Sequence, residues 1–225
     1  MNAVGKGENS NLCYNSGMRI KNRQVIFAVL AIMLFILPVQ SFAHQPSTSV
    51  RYALKDVQGL GPLPYNYRVI DGRIYAGGHP LNPEHGLQNT DKQTLAILKY
   101  LKSKGVVTVI DLQNDRKTED RYARLLNEAG LKRIHVPLSW MKTPSPEDWK
   151  KMSAAFSKPV YIHCKWGADR TGIIIAKYLI AFKGYTVKEA LDAVSTGGSD
   201  AGKIRGIDPA YRYDPVMQNF LGRKQ

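Results

Sequence analysis

Two runs in this chain, VVTVIDL at 106–112 and PVYIHC at 159–164, lack any regular alternation of polar and apolar residues. A strand of that kind must be covered on both faces, which points to a parallel sheet between helical layers. The segments around the two runs fit this demand. Tyr67–Ile70 and Arg73–Ala76 flank Asp71-Gly72 and predict a hairpin. Thr90–Ser103 has a capping threonine, an apolar face and Gly105 as a stop, and 117–129 is a second amphipathic helix stopped by Gly130. Arg133–Leu138 predicts a strand, and 147–156, 171–182, 186–194 and 213–221 predict helices, with a polar, Gly-rich loop over 197–206. Strands and helices alternating in this way give one α/β domain with a mainly parallel central sheet and helices on both faces.

The N-terminal part reads differently. Arg19, Lys21 and Arg23 precede the uncharged apolar run Val25–Val39, and Ser41-Phe42-Ala43 places small residues before a cleavage point at His44. Residues 1–43 are therefore expected to be an N-terminal extension and signal peptide, with Met18 as a second candidate start. The run is short for a membrane span, although an uncleaved signal would leave an anchor. Residues 44–65, rich in Pro and Gly, are expected to be an extended lead-in, and 66–225 the functional domain. An exported destination follows, periplasmic or secreted. Cleavage would remove Cys13 and leave Cys164 as the only thiol, so the domain must fold without an internal disulfide.

Charge narrows the partners. The formal net charge is +14, and the first 43 residues contribute only four basic and one acidic side chain, so the remainder keeps +11. A basic protein suits an anionic substrate or an anionic membrane surface. The Lys and Arg are scattered, and no basic stripe is interleaved with aromatics, so nucleic acid is not expected as a partner. His44, His79, His85 and His135 have no partner at metal-ligand spacing, so neither a metal nor a cofactor is expected.

The chemistry concentrates in HCKWGADRTG, between the buried strand and the apolar helix. Ligands of open α/β sheets bind where a strand ends and a helix begins. The amides of such a loop form a nest for an anion, and the helix dipole adds to it. Cys164 stands at the base of this loop, where a helix N-terminus favours the nucleophilic thiolate. Arg170 closes the loop with a planar fork for two oxygens. Gly167 permits a tight turn, and Thr171 offers a hydroxyl to the sulfur.

HCKWGADRTG resembles the phosphate loop of cysteine-based phosphatases, the protein tyrosine and dual-specificity group. YRVIDGRIYAGGHP, LKSKGVVTVIDLQND and LKRIHVPL look like the successive blocks of small bacterial dual-specificity-like phosphatases, so the resemblance covers roughly Tyr67 to Leu191. It implies a phosphomonoesterase working through a cysteinyl-phosphate on Cys164. The backbone of Lys165, Trp166, Gly167, Ala168 and Asp169, with the Arg170 side chain, would bind the phosphate, and His163 and Thr171 would support the loop. The substrate would be a phosphorylated protein (on Tyr or Ser/Thr), lipid, inositol or sugar. The resemblance also implies an aspartate acid in the loop after strand 133–138. Ser139–Thr143 contains no carboxylate, so the acid stays open between Asp148 and Asp169, with Glu147, Asp111 and Asp115 as lesser candidates. An acid directly before the arginine is an arrangement also seen in myotubularin-like and Sac-type inositide phosphatases. Trp140 and Trp149 read as packing residues, Trp140 on the loop that faces the site. Trp166 and Lys165 read as rim residues. The missing early-loop aspartate leaves a non-catalytic phosphate-binding module as the alternative, with a sulfurtransferase behind it.

Overall fold

Strand β1 (Arg68–Val69) runs antiparallel to β2 (Ile74–Gly78), and Asp71 closes the turn by accepting the amides of Arg73 and Ile74 through Oδ1, at 3.0 and 3.1 Å. The computed structural model describes residues 63–81, 89–195, 199–200, 203–204 and 206–222. The expected signal segment, most of the lead-in, Cys13, His44 and His85 lie outside the described residues. No helix among the described residues is long and apolar enough to cross a membrane.

Three further strands complete the main sheet: β3 (Thr108–Asp111), β4 (Lys132–His135) and β5 (Val160–Cys164). The order is β1-β2-β5-β3-β4, with all pairs but β1–β2 parallel. β5 lies between β2 and β3 and pairs Gly78 with Cys164 and Asp111 with His163, so three strand ends converge at one edge. Among the described residues the helices are α1 (Asp91–Ser103), α2 (Glu119–Ala129), α3 (Pro146–Ala155), α4 (Asp169–Lys183), α5 (Val187–Ser195), α6 (Pro209–Tyr213) and α7 (Pro215–Gly222).

Alternation along β5 divides the core. Val160, Ile162 and Cys164 face a cluster built with α3 to α7, whereas Tyr161 packs with α1 and α2 on the other face. Both faces are covered, which is why these strands show no polar alternation. Local signals set the helix ends: Thr90 and Gln93 form a reciprocal capping box on α1, and Gly130 ends α2 in the left-handed conformation.

Two expectations are corrected. The loop at 197–206 contains a short antiparallel pair, β6 (Ser199–Asp200) with β7 (Lys203–Ile204). The terminal helix expected at 213–221 begins at Pro215, and a short helix that the sequence reading did not include, α6, precedes it. Asp214 is extended at ψ 126°, as the residue before a proline prefers, and its carboxylate accepts the amides of Val216 and Met217, starting α7 afresh.

Candidate active site

The loop from β5 to α4 is built against the end of β2. Gly167 has φ +73°, and a Cβ there would sit 2.6 Å from Gly78 N and closer still to the carbonyl of Gly77. Only glycine allows both this conformation and this approach. The contact is with protein backbone, a role beyond the tight turn read from sequence. Lys165 O accepts the His79 amide at 3.1 Å, and Trp166 O accepts Asn66 Nδ2 at 3.3 Å. The Trp166 ring meets Tyr65 edge-on at 5.7 Å. Tyr161 Oη donates to Gly78 O at 2.6 Å and fixes the other side of the same turn. Tyr65 and Asn66 are fully buried, so the end of the expected lead-in forms part of the loop's scaffold.

Cys164, at 3% exposure, lines a cavity of about 410 Å³ together with Lys165, Trp166, Asp169 and Arg170. Asn114, Leu138, Ser139 and Trp140 form the facing wall. Ala168 is buried at the helix N-cap, and Gly172 N donates to its carbonyl at 2.6 Å. Arg170 Nη1 donates to Leu112 O and Leu138 O, at 3.2 and 2.9 Å, and Nη2 to Gln113 Oε1 at 3.5 Å.

The carboxylates separate by what they face. Asp169 lines the cavity, and its Oδ1 accepts the Asp208 amide at 2.7 Å. Asp148 is absent from the cavity wall. It sits in the first turn of α3, where it accepts the Ser145 hydroxyl at 2.7 Å while its amide donates back to Ser145 Oγ. Glu147 shares that turn. Asp111 is buried and paired with Arg133 at 2.7 Å, and Asp115 accepts the Lys117 amide and the Thr118 hydroxyl ahead of α2. The Thr171 hydroxyl is buried without a hydrogen-bond partner and makes no bond to the sulfur. Trp149 packs against Phe156 and Phe220, as read from sequence. Trp140 does not pack in this way: it is 64% exposed at the cavity wall, with one edge contact to Tyr211.

His163 points to the opposite face of the sheet from Cys164. Its Nε2 lies 3.0 Å from Tyr122 Oη and its ring 4.7 Å from His79. The pairing of His163 with His79 and Tyr122 escaped the sequence reading because this cluster joins distant segments; Tyr122 and His163 stand 41 positions apart. His79, Asp111 and His163 are close enough to hold an ion. Their donors do not fit one. Asp111 spends Oδ2 on Arg133 and Oδ1 on the Gln113 amide. His79 Nδ1 accepts the Leu81 amide, so its neutral ring carries the proton on the remaining nitrogen. The adjacent Arg133 would repel a dication. The cluster is a set of packed and hydrogen-bonded rings on the opposite face of β5 from Cys164.

Burial lowers both His79 and His163 to about 3. The unfolded chain takes up these protons near pH 6.5, but the folded chain does not until near pH 3, so stability is full above 6.5 and falls through that window. The expected loss is on the order of 1 kcal/mol per pH unit for each histidine. Melting temperatures between pH 7 and pH 4.5 test this: His79→Gln should flatten the decline, and an unchanged slope would refute the assignment.

Comparison with known proteins extends this picture. A family model described as a polymorphic toxin system DSP-PTPase phosphatase matches residues 86–184. The dual specificity protein phosphatase TpbA of Pseudomonas aeruginosa is 31% identical in two strains. The match covers 110 residues in one, 47% of each chain, and 180 residues in the other, 78% of this chain and 72% of that one. The chain thus spans about half of the first relative's length. The structure of Tk-PTP in its active form superposes with a TM-score of 0.51 at 18% identity, over 71% of this chain and 98% of that one. Kinase associated phosphatase does so at 0.50 and 14%, over 66% and 83%. These two likenesses concern the fold.

Proposed function

We propose, because the chain belongs to the dual specificity protein phosphatase family, that it hydrolyses phosphate monoesters through a phosphocysteine on Cys164. The observation that carries this reading is the meeting of Cys164, Arg170 and Asp169 on one cavity at the N-terminus of α4. The Cys164 thiolate attacks phosphorus in line, the S–P bond forms and the ester P–O bond breaks. Loop amides and Arg170 hold the equatorial oxygens as charge moves onto them. Asp169 gives its proton to the leaving oxygen, then takes one from the water that cleaves the S–P bond and releases phosphate. Thiolate and acid are thereby restored. His163 stays neutral throughout and acts from behind the loop.

The substrate we favour is a phosphoprotein presenting an aryl phosphate. Trp140, an exposed ring held at the cavity wall, suits a phosphotyrosyl side chain. The basic charge and Lys165 at the rim support a phospholipid or inositol phosphate as the second class. The non-catalytic alternative is disfavoured, because the cavity contains a nucleophile, an oxyanion donor and a carboxylate. We extend the proposal to an exported enzyme on the strength of the basic n-region and the apolar run 25–39.

The test is a panel of phosphopeptides, phospholipids and sugar phosphates assayed with wild type, Asp169→Asn and Asp148→Asn. Asp169→Asn should cut kcat by about 10²-fold or more and remove the alkaline limb of the pH–rate profile. Asp148→Asn should stay within about threefold of wild type, since only a helix cap changes. The reverse pattern would move the acid to Asp148. Loss of the limb only on aryl substrates, or only on lipids, identifies the class that uses the acid.

A further inference from the structure

We infer that Gln113 is a positioning residue for phosphoryl transfer, the third carbonyl of a clamp that turns one edge of Arg170 into the cavity. The inference rests on Arg170 binding the phosphoryl group as proposed above. A guanidinium has five N–H donors in one rigid plane. Nη1 spends its two on Leu112 O and Leu138 O, and Nη2 spends one on Gln113 Oε1. Two are left over, Nε–H and the second N–H of Nη2; with Gln113 on the Nη2 hydrogen that points away from Nε, they lie parallel on a single edge. That pair matches two oxygens of a phosphoryl group.

The third contact matters because of where it falls. Two acceptors on Nη1 hold the plane at one atom only. An acceptor on Nη2 adds a second point of attachment and stiffens the plane against in-plane rotation. Leu112 and Leu138 act through main-chain oxygens, so Gln113 is the one member of the clamp that depends on side-chain identity.

Gln113 is itself held from both sides. Its amide donates to Asp111 Oδ1 at 2.8 Å, and its carbonyl lies 2.9 Å from His135 Nε2. Asp111 is held by Arg133, and His135 Nδ1 lies 3.2 Å from Glu119. A buried ion pair seldom improves stability over apolar packing. Here it fixes the backbone of the residue that orients Arg170. The polar network behind the sheet thus reaches the reacting face through Gln113.

A double-mutant cycle tests this, using p-nitrophenyl phosphate turnover and calorimetric binding of tungstate. Gln113→Leu should lower kcat/KM and tungstate affinity by about tenfold each, the cost of one hydrogen bond to a charged group. Gln113→Glu, which keeps the acceptor oxygen, should remain within about threefold of wild type. In an Arg170→Lys background, Gln113→Leu should change either quantity by less than about twofold, because the plane it orients is gone. Equal losses in both backgrounds, equal losses for Leu and Glu, or wild-type tungstate affinity for Gln113→Leu would each overturn the inference. Wild-type turnover in Arg170→Lys alone would instead overturn the phosphatase mechanism beneath it.

Discussion

Cys164→Ser is expected to reduce phosphate monoester hydrolysis by at least about 10⁴-fold, to the background rate. Serine keeps the size of the side chain but replaces a thiol with a hydroxyl that stays protonated at neutral pH. The site offers no base to activate such a hydroxyl. His163 projects from the other face of β5 and is held neutral by burial, and Asp169 carries its proton for the leaving oxygen during the attack step, so it cannot take one from the hydroxyl. Binding should persist, since the loop amides and Arg170 are unchanged. Tungstate affinity within about threefold of wild type, with turnover at background, is the expected pair of results. Residual turnover above one part in about a hundred would place the nucleophile elsewhere.

Gly167→Ala carries the second large effect, and Gly72→Ala is its control. Both glycines have positive φ, +73° and +79°. At Gly72 nothing lies within 4 Å of an added Cβ. That substitution should cost only backbone strain, about 1 kcal/mol. At Gly167 the added carbon meets the Gly77–Gly78 main chain, which belongs to a strand end paired with β5 and cannot yield. The loop must shift bodily away from β2, breaking the His79–Lys165 and Asn66–Trp166 hydrogen bonds. We expect Gly167→Ala to lose about 2–4 kcal/mol of stability and about 10²-fold or more in kcat/KM. Urea unfolding and steady-state rates on both variants check this. Equal costs at the two positions would mean that the close approach to Gly77 does not exist.

These two predictions also mark what the sequence makes legible. The loop is readable because its determinants are contiguous: buried strand, HCKWGADRTG and apolar helix follow one another within a few turns of chain. The α1 capping box and the Gly130 stop are readable for the same reason. The backing of the loop is not. Asn66 and Trp166 stand 100 positions apart, and no local pattern in PYNY marks the residues that close the loop from behind. His79 reads as a histidine without a partner at metal-ligand spacing and becomes a partner of His163 only when β2 pairs with β5.

The two candidate acids show the limit most clearly. Asp148 and Asp169 each lie in the first turn of a helix, where the dipole favours a carboxylate in any case. Sequence cannot rank them, because what differs is the direction each faces. Trp140 poses the same difficulty: a tryptophan in a loop reads as packing until its exposure is known. The break at Asp214-Pro215, by contrast, is written in the sequence, since the residue before a proline avoids helical ψ.

The central claim is that a covalent bond forms between phosphorus and Cys164. The most direct measurement is a rapid acid quench of the enzyme with labelled p-nitrophenyl phosphate, followed by mapping of the labelled peptide. The account predicts label on Cys164 within the first turnover, no label on Cys164→Ser, and a larger trapped fraction in Asp169→Asn, where hydrolysis of the intermediate lacks its base. Turnover by the wild type with no phosphocysteine at any quench time, or with label on another residue, would contradict it.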